Sequence, residues 1–375
     1  MDLIGITIFG GVNIQPPPPP APAPTYYLWS WGRNYKGVLG LGDTTNRSSP
    51  NQVGSMSDWL SLAAGRYHMT AIKIDNTLWS WGLNSVGQLG LGDTTDRSSP
   101  TQIGALATWA SLSCGDSHSL AVKTDGTLWS WGYNITYGNL GLGNTTTHYS
   151  SPKQIGALTT WASIGTGGLS SFAVKTDGTL WAWGNNYYGN LGLNDKTLRP
   201  SPVQVGALTN WSKVDGGDHH AMAIKTDGTL WGWGSSQYGQ TGTGSSLSSP
   251  VQVGALTTWA TLGITYLSSS AIKTDGTLWM WGAGDSGQLG LGSTANQGSP
   301  VQVGALTTWS KISMGQFHTM AVKTDGTLWT WGFNAQGQLG IGNTTYFSSP
   351  KQVGALTTWL NVTAGYRHST AITSQ

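Results

Sequence analysis

Tryptophan recurs in this chain with a period that constrains its architecture. The motif W-x-W-G occurs seven times, at steps of 50, 50, 52, 50, 48 and 50 residues, and begins at Trp29, Trp79, Trp129, Trp181, Trp231, Trp279 and Trp329. A third tryptophan follows in each unit, which accounts for all 21 in the sequence. A period near 50 residues with strand-like content is typical of a ring of small sheets. Residues shared by all units are therefore scaffold, and specificity has to come from positions that differ.

Four strands are predicted in each unit. In residues 127–175, the segments LWSWG, SPKQI, WASI and SFAVK have the alternation or the composition of strands. Asp-Gly follows, a strong hairpin signal that five units keep and that the first unit replaces with Asp75-Asn76. The seventh unit has no such hairpin, and the strand that it lacks stands at residues 26–32. Pairing these segments closes a ring, which predicts an all-β, seven-bladed β-propeller over residues 25–375.

The two tryptophans of each motif are predicted to fill the space between units. Residues i and i+2 of a strand share a face, so both indoles point the same way. The residue between them is small in six of the seven units. We expect an indole to pack into the space that this small residue leaves on the adjacent blade, burying about 150–250 Å² per ring.

The combined repeat is similar to that of a known family. Residues 114–132, CGDSHSLAVKTDGTLWSWG, and residues 87–93, GQLGLGD, resemble the regulator of chromosome condensation repeat. The resemblance covers residues 26–375 and implies a seven-bladed propeller that binds another protein on one face. Members of that family include a nucleotide-exchange factor for a small GTPase, ubiquitin-ligase modules and a secreted inhibitor of beta-lactamases. The resemblance therefore leaves the partner open.

Composition narrows the classes of partner. The chain has 18 basic and 16 acidic residues, the latter all aspartate, and it has no basic run, which argues against a nucleic-acid partner. No stretch approaches about 18 apolar residues, so no insertion into a membrane is expected. The single cysteine, Cys114, excludes a disulfide framework and is expected to be a small buried core residue. The sequence starts with an acidic residue and lacks the basic region of a secretion signal.

The residue types used in catalysis are present but not in catalytic arrangements. Histidines share one repeat position, at His68, His118, His220, His318 and His368. Equivalent atoms on neighbouring blades are too far apart to share a metal with bonds of about 2.1 Å, so the imidazoles are expected to hydrogen-bond neighbouring backbone. His118 and Ser119 point to opposite faces of a strand and form no triad. The Gly-x-Leu-Gly-x-Gly loops lack the following helix that a phosphate site needs, so we expect no enzyme activity, no metal and no cofactor.

Aromatic residues mark the positions where the units differ. With four alternating strands in each unit, the loops after LWSWG and after WASI emerge on one face, and the uniform Gly-Ala-Leu-Thr-Thr and Thr-Asp-Gly-Thr turns on the other. Tyrosine provides a large contact area at low entropic cost, as in antibody paratopes. The alternative is that these rings only cover blade edges. The predicted binding residues are Tyr35, Tyr133, Tyr137, Tyr187, Tyr188, Tyr238, Phe333, Tyr346 and Phe347.

A different kind of segment precedes the repeats. Residues 1–15 alternate apolar with other side chains, and the predicted assembly anchor consists of Ile4, Ile6, Ile8, Val12 and Ile14. Residues 16–24 contain seven prolines, which favour a semi-rigid polyproline spacer. A short apolar strand cannot bury itself alone, so it is expected to add to another protein's sheet or to intertwine with copies of itself. This order of anchor, spacer and head is similar to that of bacteriophage virion proteins that carry a propeller on a short anchoring segment.

These features together predict a non-catalytic bacteriophage virion protein. It would be a tail or surface appendage, bound to other virion proteins through residues 1–15 and to a host-surface receptor or a neighbouring protein through the propeller face. Since no secretion signal is recognised, it is expected to be released with the particle. The alternative is a soluble bacterial protein-binding or inhibitor module of the same repeat family.

Overall fold

The computed structural model describes residues 24–375, which form seven four-stranded antiparallel sheets. The sheets are the blades of a propeller, and each runs from an inner strand at the central axis through a second and a third strand to an outer strand. The predicted seven-bladed β-propeller is therefore confirmed. The predicted anchor, residues 1–15, and positions 16–23 of the predicted spacer lie outside the described residues.

The strands recur with the period of the sequence. The inner strands are Trp59–Ala64, Trp109–Cys114, Trp161–Thr166, Trp211–Gly216, Trp259–Ile264, Trp309–Met314 and Trp359–Ala364. The second strands are His68–Lys73, His118–Lys123, Ser170–Lys175, His220–Lys225, Ser268–Lys273, His318–Lys323 and His368–Ser374. The third strands are Leu78–Gly82, Leu128–Gly132, Leu180–Gly184, Leu230–Gly234, Leu278–Gly282, Leu328–Gly332 and Tyr26–Gly32. The outer strands are Arg47–Gln52, Arg97–Gln102, Tyr149–Gln154, Arg199–Gln204, Leu247–Gln252, Gln297–Gln302 and Phe347–Gln352, and one short 3-10 helix spans Tyr35–Gly37.

Pairing of the first strand with the last closes the ring. Tyr26–Gly32 lies antiparallel to His368–Ser374 with an unbroken register. Beyond this pair, Thr25 and Gln375 exchange two main-chain hydrogen bonds, of 3.2 and 3.0 Å. The outer strand Arg47–Gln52 pairs only with Tyr26–Gly32. The first strand therefore completes the last blade, as the sequence predicted.

The Asp-Gly hairpins join the second strand to the third. The Asp125 carboxylate accepts hydrogen bonds from the main-chain N–H of Thr127 at 2.9 Å and from its hydroxyl at 2.6 Å. Gly126 has a φ of +78°, a conformation that costs other L residues about 1–2 kcal/mol. A Cβ at this position would also lie 2.1 Å from the carbonyl oxygen of Thr159. Glycine is thus needed both for the turn and for its packing against the connection to the next blade.

The hydrophobic core lies between blades. Seven clusters of buried apolar side chains each combine residues from two neighbouring blades. One such cluster joins Ile72 and Leu78 of one blade to Trp109, Ala121 and Trp131 of the next. Because no blade has a core of its own, the ring is expected to be stable only when its joints are complete.

The second tryptophan of each motif fixes a joint. The Trp131 indole donates to the carbonyl oxygen of Gln88 in the preceding blade at 3.0 Å, and a Cβ on Gly90 would lie 2.8 Å from its Nε1. The middle residue of the motif lies in the same joint, since Ala182 shares a buried cluster with Trp233 and Met280 shares one with Trp331. Ser130, in that middle position, donates to the carbonyl oxygen of Leu140 in its own blade at 2.8 Å. A glycine in the neighbouring loop also leaves room for the indole, because any side chain on Gly90 would meet the Trp131 ring.

Candidate binding face

Two sets of loops emerge on the same side of the ring. One set joins inner strands to second strands, and the other joins third strands to outer strands. In every blade a main-chain hydrogen bond links the two sets, as where the Tyr133 N–H donates to the carbonyl oxygen of Ser117 at 2.8 Å. The Asp-Gly hairpins and the Gly-Ala-Leu-Thr-Thr connections lie on the other side. We call the side with the two loop sets the variable face and the other side the uniform face.

The predicted aromatic residues differ in exposure. Tyr187, Tyr346, Tyr35 and Tyr188 are 71%, 49%, 39% and 38% exposed. The half-buried residues are Tyr133, Tyr137, Tyr238 and Phe333. Phe347 lies in a strand rather than in a loop, because the outer strand begins at this residue, opposite Gly332. The four exposed tyrosines are the predicted residues most available to a partner.

Aromatic rings and arginines form one connected surface over three blades. Successive ring centroids are 4.6 to 6.4 Å apart from Tyr35 to Tyr346. We call this set the arginine–aromatic surface; it consists of Arg33, Tyr35, Arg66, Tyr67, Phe317, Phe333, Tyr346, Tyr366 and Arg367. The sequence predicted only three of these nine residues, because the contacts join loops of different units.

A second aromatic cluster lies on the blade that contains Tyr187 and Tyr188. The centroids of these two rings are 5.2 Å apart in an edge-to-face arrangement. The Tyr188 ring also stacks on the His219 imidazole of the next blade, at 4.0 Å. Tyr188 is therefore held in place, while Tyr187 projects from it into solvent.

A ring of seven residues surrounds the mouth of the central channel on the variable face. They occupy one repeat position, two residues before the shared histidine position, and are Arg66, Asp116, Gly168, Asp218, Tyr266, Gln316 and Tyr366. This ring was not among the residues predicted from the sequence. The available signal was that the position after a nearly invariant glycine holds five residue types in seven units.

Polar contacts connect the residues of the channel mouth. The Tyr266 hydroxyl donates to Oδ1 of Asp116, whose Oδ2 lies 3.7 Å from the Arg66 guanidinium. His219 Nε2 lies 3.3 Å from Oδ2 of Asp218. Burial raises the pKa of Asp116, and the nearby charge of Asp218 raises it further, while the Tyr266 hydrogen bond and Arg66 oppose the shift. The mouth thus combines two carboxyl groups with the guanidinium of Arg66, which lies beside one of them.

The channel behind the mouth has a volume of about 490 Å³. Asp215 is the one acidic residue on the inner strands. Its carboxylate accepts a hydrogen bond from the main-chain N–H of Gly216 at 2.9 Å, and burial raises its pKa to about 7. Lys213, two residues earlier on the same strand, also lines the channel, and its ammonium group donates to the carbonyl oxygen of Ala260.

The repeat histidines lie in the joints between blades. His68 Nε2 is 3.0 Å from Oγ of Ser119 on the next blade, and that hydroxyl donates to the carbonyl oxygen of Gln88 at 3.1 Å, so the imidazole N–H is the donor. The equivalent pairs are His118 with Ser171, His220 with Ser269 and His318 with Ser369, whereas His368 faces the Met69 sulfur. We expected backbone partners, and the partners are instead side chains on the next blade. Burial lowers the pKa of all five histidines to about 3.

The repeat histidines and their serine partners are closed to substrate. Each His–Ser pair is buried. The serine hydroxyls that partner His118, His220 and His318 also donate to main-chain carbonyl oxygens, as the Ser119 hydroxyl does. Cys114, which we expected in the buried core, is instead half-buried and lines the channel, and burial raises the pKa of its thiol to about 11, which keeps it protonated at neutral pH. Within residues 24–375, no group of three or more histidine, cysteine and acidic side chains is placed to hold a metal ion. Residues 24–375 also contain no helix that is long and apolar enough to cross a membrane.

Seven blades in a closed ring, with one uniform and one variable face, define a β-propeller of the protein-interaction class. Comparison with family models makes the assignment specific. Residues 28–310 match the RCC1-like domain, and residues 325–372 match the regulator of chromosome condensation (RCC1) repeat. Because the first match alone covers more than half of the sequence, the chain belongs to the RCC1-like family of propellers, and the resemblance noted in the sequence is confirmed.

Solved structures of two RCC1-like proteins superpose on this chain. Prp20p from Saccharomyces cerevisiae, whose binding to Gsp1p and histones was studied with its structure, has a TM-score of 0.83 at 21% identity, covering 93% of this chain and 91% of its own. Human WBSCR16 has a TM-score of 0.80 at 20% identity, covering 94% and 99%. At such identities the likeness shows the fold alone.

Curated relatives match over a short segment. The human probable E3 ubiquitin-protein ligase HERC4 is 37% identical over 65 residues, which is 17% of this chain and 6% of that protein. The rat protein is 38% identical over the same length. The chain thus matches only a small part of these relatives, and the match assigns none of their activity to this chain.

Proposed function

We propose that this chain is a non-catalytic protein-binding propeller whose variable face is the recognition surface. The observation that carries the proposal is the asymmetry of the ring. The uniform face repeats nearly the same turns, whereas the variable face presents exposed tyrosines on loops that differ between units. Aromatic side chains of this kind serve as binding hot spots because they bury a large area with few rotatable bonds.

We further propose that the propeller is carried on a bacteriophage particle, as a tail or surface appendage. The support is the sequence of residues 1–24, in which apolar alternation is followed by seven prolines. Residues 1–15 would attach the chain to other virion proteins, and the variable face would bind a host-surface receptor or a neighbouring protein. Prp20p has been studied for its binding to Gsp1p and histones. This supports only the general point that such a propeller binds proteins.

Replacing Tyr187 and Tyr188 by alanine is expected to weaken binding strongly and to leave the fold intact. The two rings are 71% and 38% exposed, so their loss creates no cavity in the core. A hot-spot aromatic contributes about 2 kcal/mol or more, which is about 30-fold in affinity. The measurement is binding of the labelled full chain to envelope fractions of the host on which the phage is propagated, with melting temperatures of both proteins.

The control for this experiment is a double substitution on the uniform face. Leu158 and Leu208 are 49% and 47% exposed there, and their replacement by alanine removes a similar exposed apolar area. The leucine variant is expected to bind as the unchanged chain does. Equal losses in both variants, or no loss in the tyrosine variant, would contradict recognition through the Tyr187 and Tyr188 cluster.

Removing residues 1–24 is expected to abolish incorporation into the particle. The propeller contacts begin at Thr25, so the shortened chain keeps the whole ring. A phage lacking the gene would be supplied with either chain, and purified particles would be probed for the protein. Normal incorporation of the shortened chain would contradict the appendage role while leaving protein binding by the variable face untouched.

A further inference from the structure

Three arginines meet on the variable face where the ring closes. Arg33 follows the third strand of the closing blade, and Arg367 precedes its second strand. The main-chain N–H of Arg33 donates to the main-chain carbonyl oxygen of Arg367 at 2.9 Å, although the two residues stand near opposite ends of the sequence. Arg66 lies at the equivalent loop of the adjoining blade. Ring closure therefore concentrates positive charge at one point of the face.

The three guanidinium groups alternate with aromatic rings. Tyr67 lies between Arg33 and Arg66, with both Cζ atoms 5.6 Å from its centroid. Tyr366 lies between Arg66 and Arg367, at 4.7 and 5.2 Å. A guanidinium that stacks on a ring keeps the N–H groups at its edge free for acceptors in its own plane. The rings thus orient the arginines without using their hydrogen-bonding capacity.

Two of these arginines have no acidic partner in the part of the chain that the structure describes. Ion pairs there join Arg66 to Asp116, but no carboxylate lies within 4.0 Å of Arg33 or Arg367. The Nε–H of Arg367 is buried and has no hydrogen-bond acceptor among the described residues. By contrast, the arginines at the start of the outer strands are paired within the chain. Arg47, Arg97 and Arg199 each form an ion pair of 2.6 Å with the aspartate four residues earlier.

We propose that the arginine–aromatic surface binds an acidic segment of a partner protein, with Arg33 and Arg367 each taking a carboxylate. This rests on the proposed function, in which the variable face is the recognition surface. A carboxylate matches the planar edge of a guanidinium with two parallel hydrogen bonds. The rings of Tyr35, Tyr67 and Phe333 lie against these guanidinium groups and provide apolar area for the aliphatic parts of the bound segment.

An acidic peptide fits this surface better than a nucleic acid does. Tracking a phosphate backbone requires many basic groups along a path, and the chain has a net charge of only +2. Asp116 and Asp218 at the adjacent channel mouth would repel a continuous chain of phosphates. Isolated carboxylates, in contrast, are able to occupy the two unpaired arginines without approaching these acids.

The test is a titration of the full chain with a fluorescently labelled peptide of about ten glutamates. Saturable binding that weakens with added salt is expected at low ionic strength. The Arg33→Gln/Arg367→Gln variant is expected to bind at least tenfold more weakly. The Arg97→Gln/Arg199→Gln variant, which removes the same charge from internally paired sites, is the matched control and is expected to bind normally.

Four outcomes would overturn the proposal. These are absence of saturable binding, equal weakening in both double variants, tighter binding of a thymidine oligonucleotide of the same length, and full recovery of affinity in Arg33→Lys/Arg367→Lys. The lysine variant keeps the charge but loses the planar pair of donors, so only partial recovery is expected. It also preserves a cation on each ring, which guards against failure of the glutamine variant to fold.

The proposed function and this inference fail separately. Tyr187 and Tyr188 lie on a different blade, away from the arginine–aromatic surface. If the glutamate peptide does not bind while the double tyrosine variant still loses envelope binding, the acidic partner is excluded and the recognition face stands. If the peptide binds but the tyrosine variant loses nothing, the arginine site stands and the tyrosine cluster is excluded from recognition.

Discussion

Lowering the pH from 7 to 5 is expected to remove several kcal/mol from the free energy of unfolding of the propeller. The cause is the five histidines in the joints between blades, His68, His118, His220, His318 and His368. Burial lowers the pKa of each from an ordinary value of 6.5 to about 3. They remain neutral in the folded ring at pH values at which the unfolded chain takes up protons.

The sign of this effect follows from proton binding in the two states. Between pH 6.5 and about 3, each histidine binds a proton when the chain is unfolded and none when it is folded, so stability is lost as the pH falls. Each contributes a slope of about 1.4 kcal/mol per pH unit. Asp116, Asp215 and Asp218 act in the opposite direction, because burial raises the pKa of each in the folded state. Five histidines outnumber three acids, so the net change remains a loss of stability.

Urea unfolding at several pH values measures this prediction, and the repeats supply a control substitution. Two units have serine, Ser170 and Ser268, at the shared histidine position. His220→Ser is expected to lower the free energy of unfolding at pH 7 by about 1–3 kcal/mol, because a buried hydrogen bond to Ser269 is lost. Its pH dependence is expected to be shallower by about 1.4 kcal/mol per pH unit. Parallel pH profiles for the two proteins would show that His220 is not held neutral.

Removing residues 1–32 is expected to destroy the cooperative fold. This deletion removes the third strand of the closing blade, including Leu28 and Trp31, both fully buried. Leu28 packs in the joint with the blade that starts at Trp59, and the Trp31 indole donates to Gln338 in the blade on the other side, at 2.9 Å. Burial of these two side chains alone contributes about 3–6 kcal/mol, a large part of the 5–15 kcal/mol that is typical of a native protein.

The matched control is the chain that lacks only residues 1–24. It keeps the whole closing strand and the hydrogen bonds between Thr25 and Gln375. Its melting transition is expected to match that of the full chain in differential scanning calorimetry, whereas the longer deletion is expected to show no cooperative transition. A cooperative transition at an unchanged temperature in the longer deletion would contradict closure by this strand.

Features that lie inside one unit and recur in the others were predictable from the sequence. The tryptophan period gave the number of blades, Asp-Gly gave the hairpins, and the absence of a hairpin after Thr373 gave the pairing of the first strand with the last. Contacts between units were less predictable. Gly90 accommodates an indole and Ser119 accepts from His68, and both pairings depend on how neighbouring blades are offset, which no repeat motif records.

In the candidate site, too, positions within one unit could be predicted from the sequence, and contacts between units could not. Exposed tyrosines such as Tyr187 could be selected from the sequence, because they interrupt an otherwise uniform loop. The pairing of Arg33 with Arg367 could not, since the two residues become neighbours only when the ring closes. The residues of the channel mouth, Asp116 and Tyr266 among them, were visible as a variable position, but their contact across the mouth depends on the ring geometry.

Hydroxyl-radical footprinting of the full chain, alone and bound to host envelope, tests most directly whether the variable face is the recognition surface. The probes on that face are the exposed tyrosines Tyr35, Tyr187, Tyr188 and Tyr346, and those on the uniform face are the exposed leucines Leu158, Leu208, Leu256 and Leu306. Binding through the variable face predicts that oxidation of tyrosines falls while oxidation of the leucines is unchanged. Protection of the leucines, with the tyrosines oxidised as in the free chain, would contradict the account.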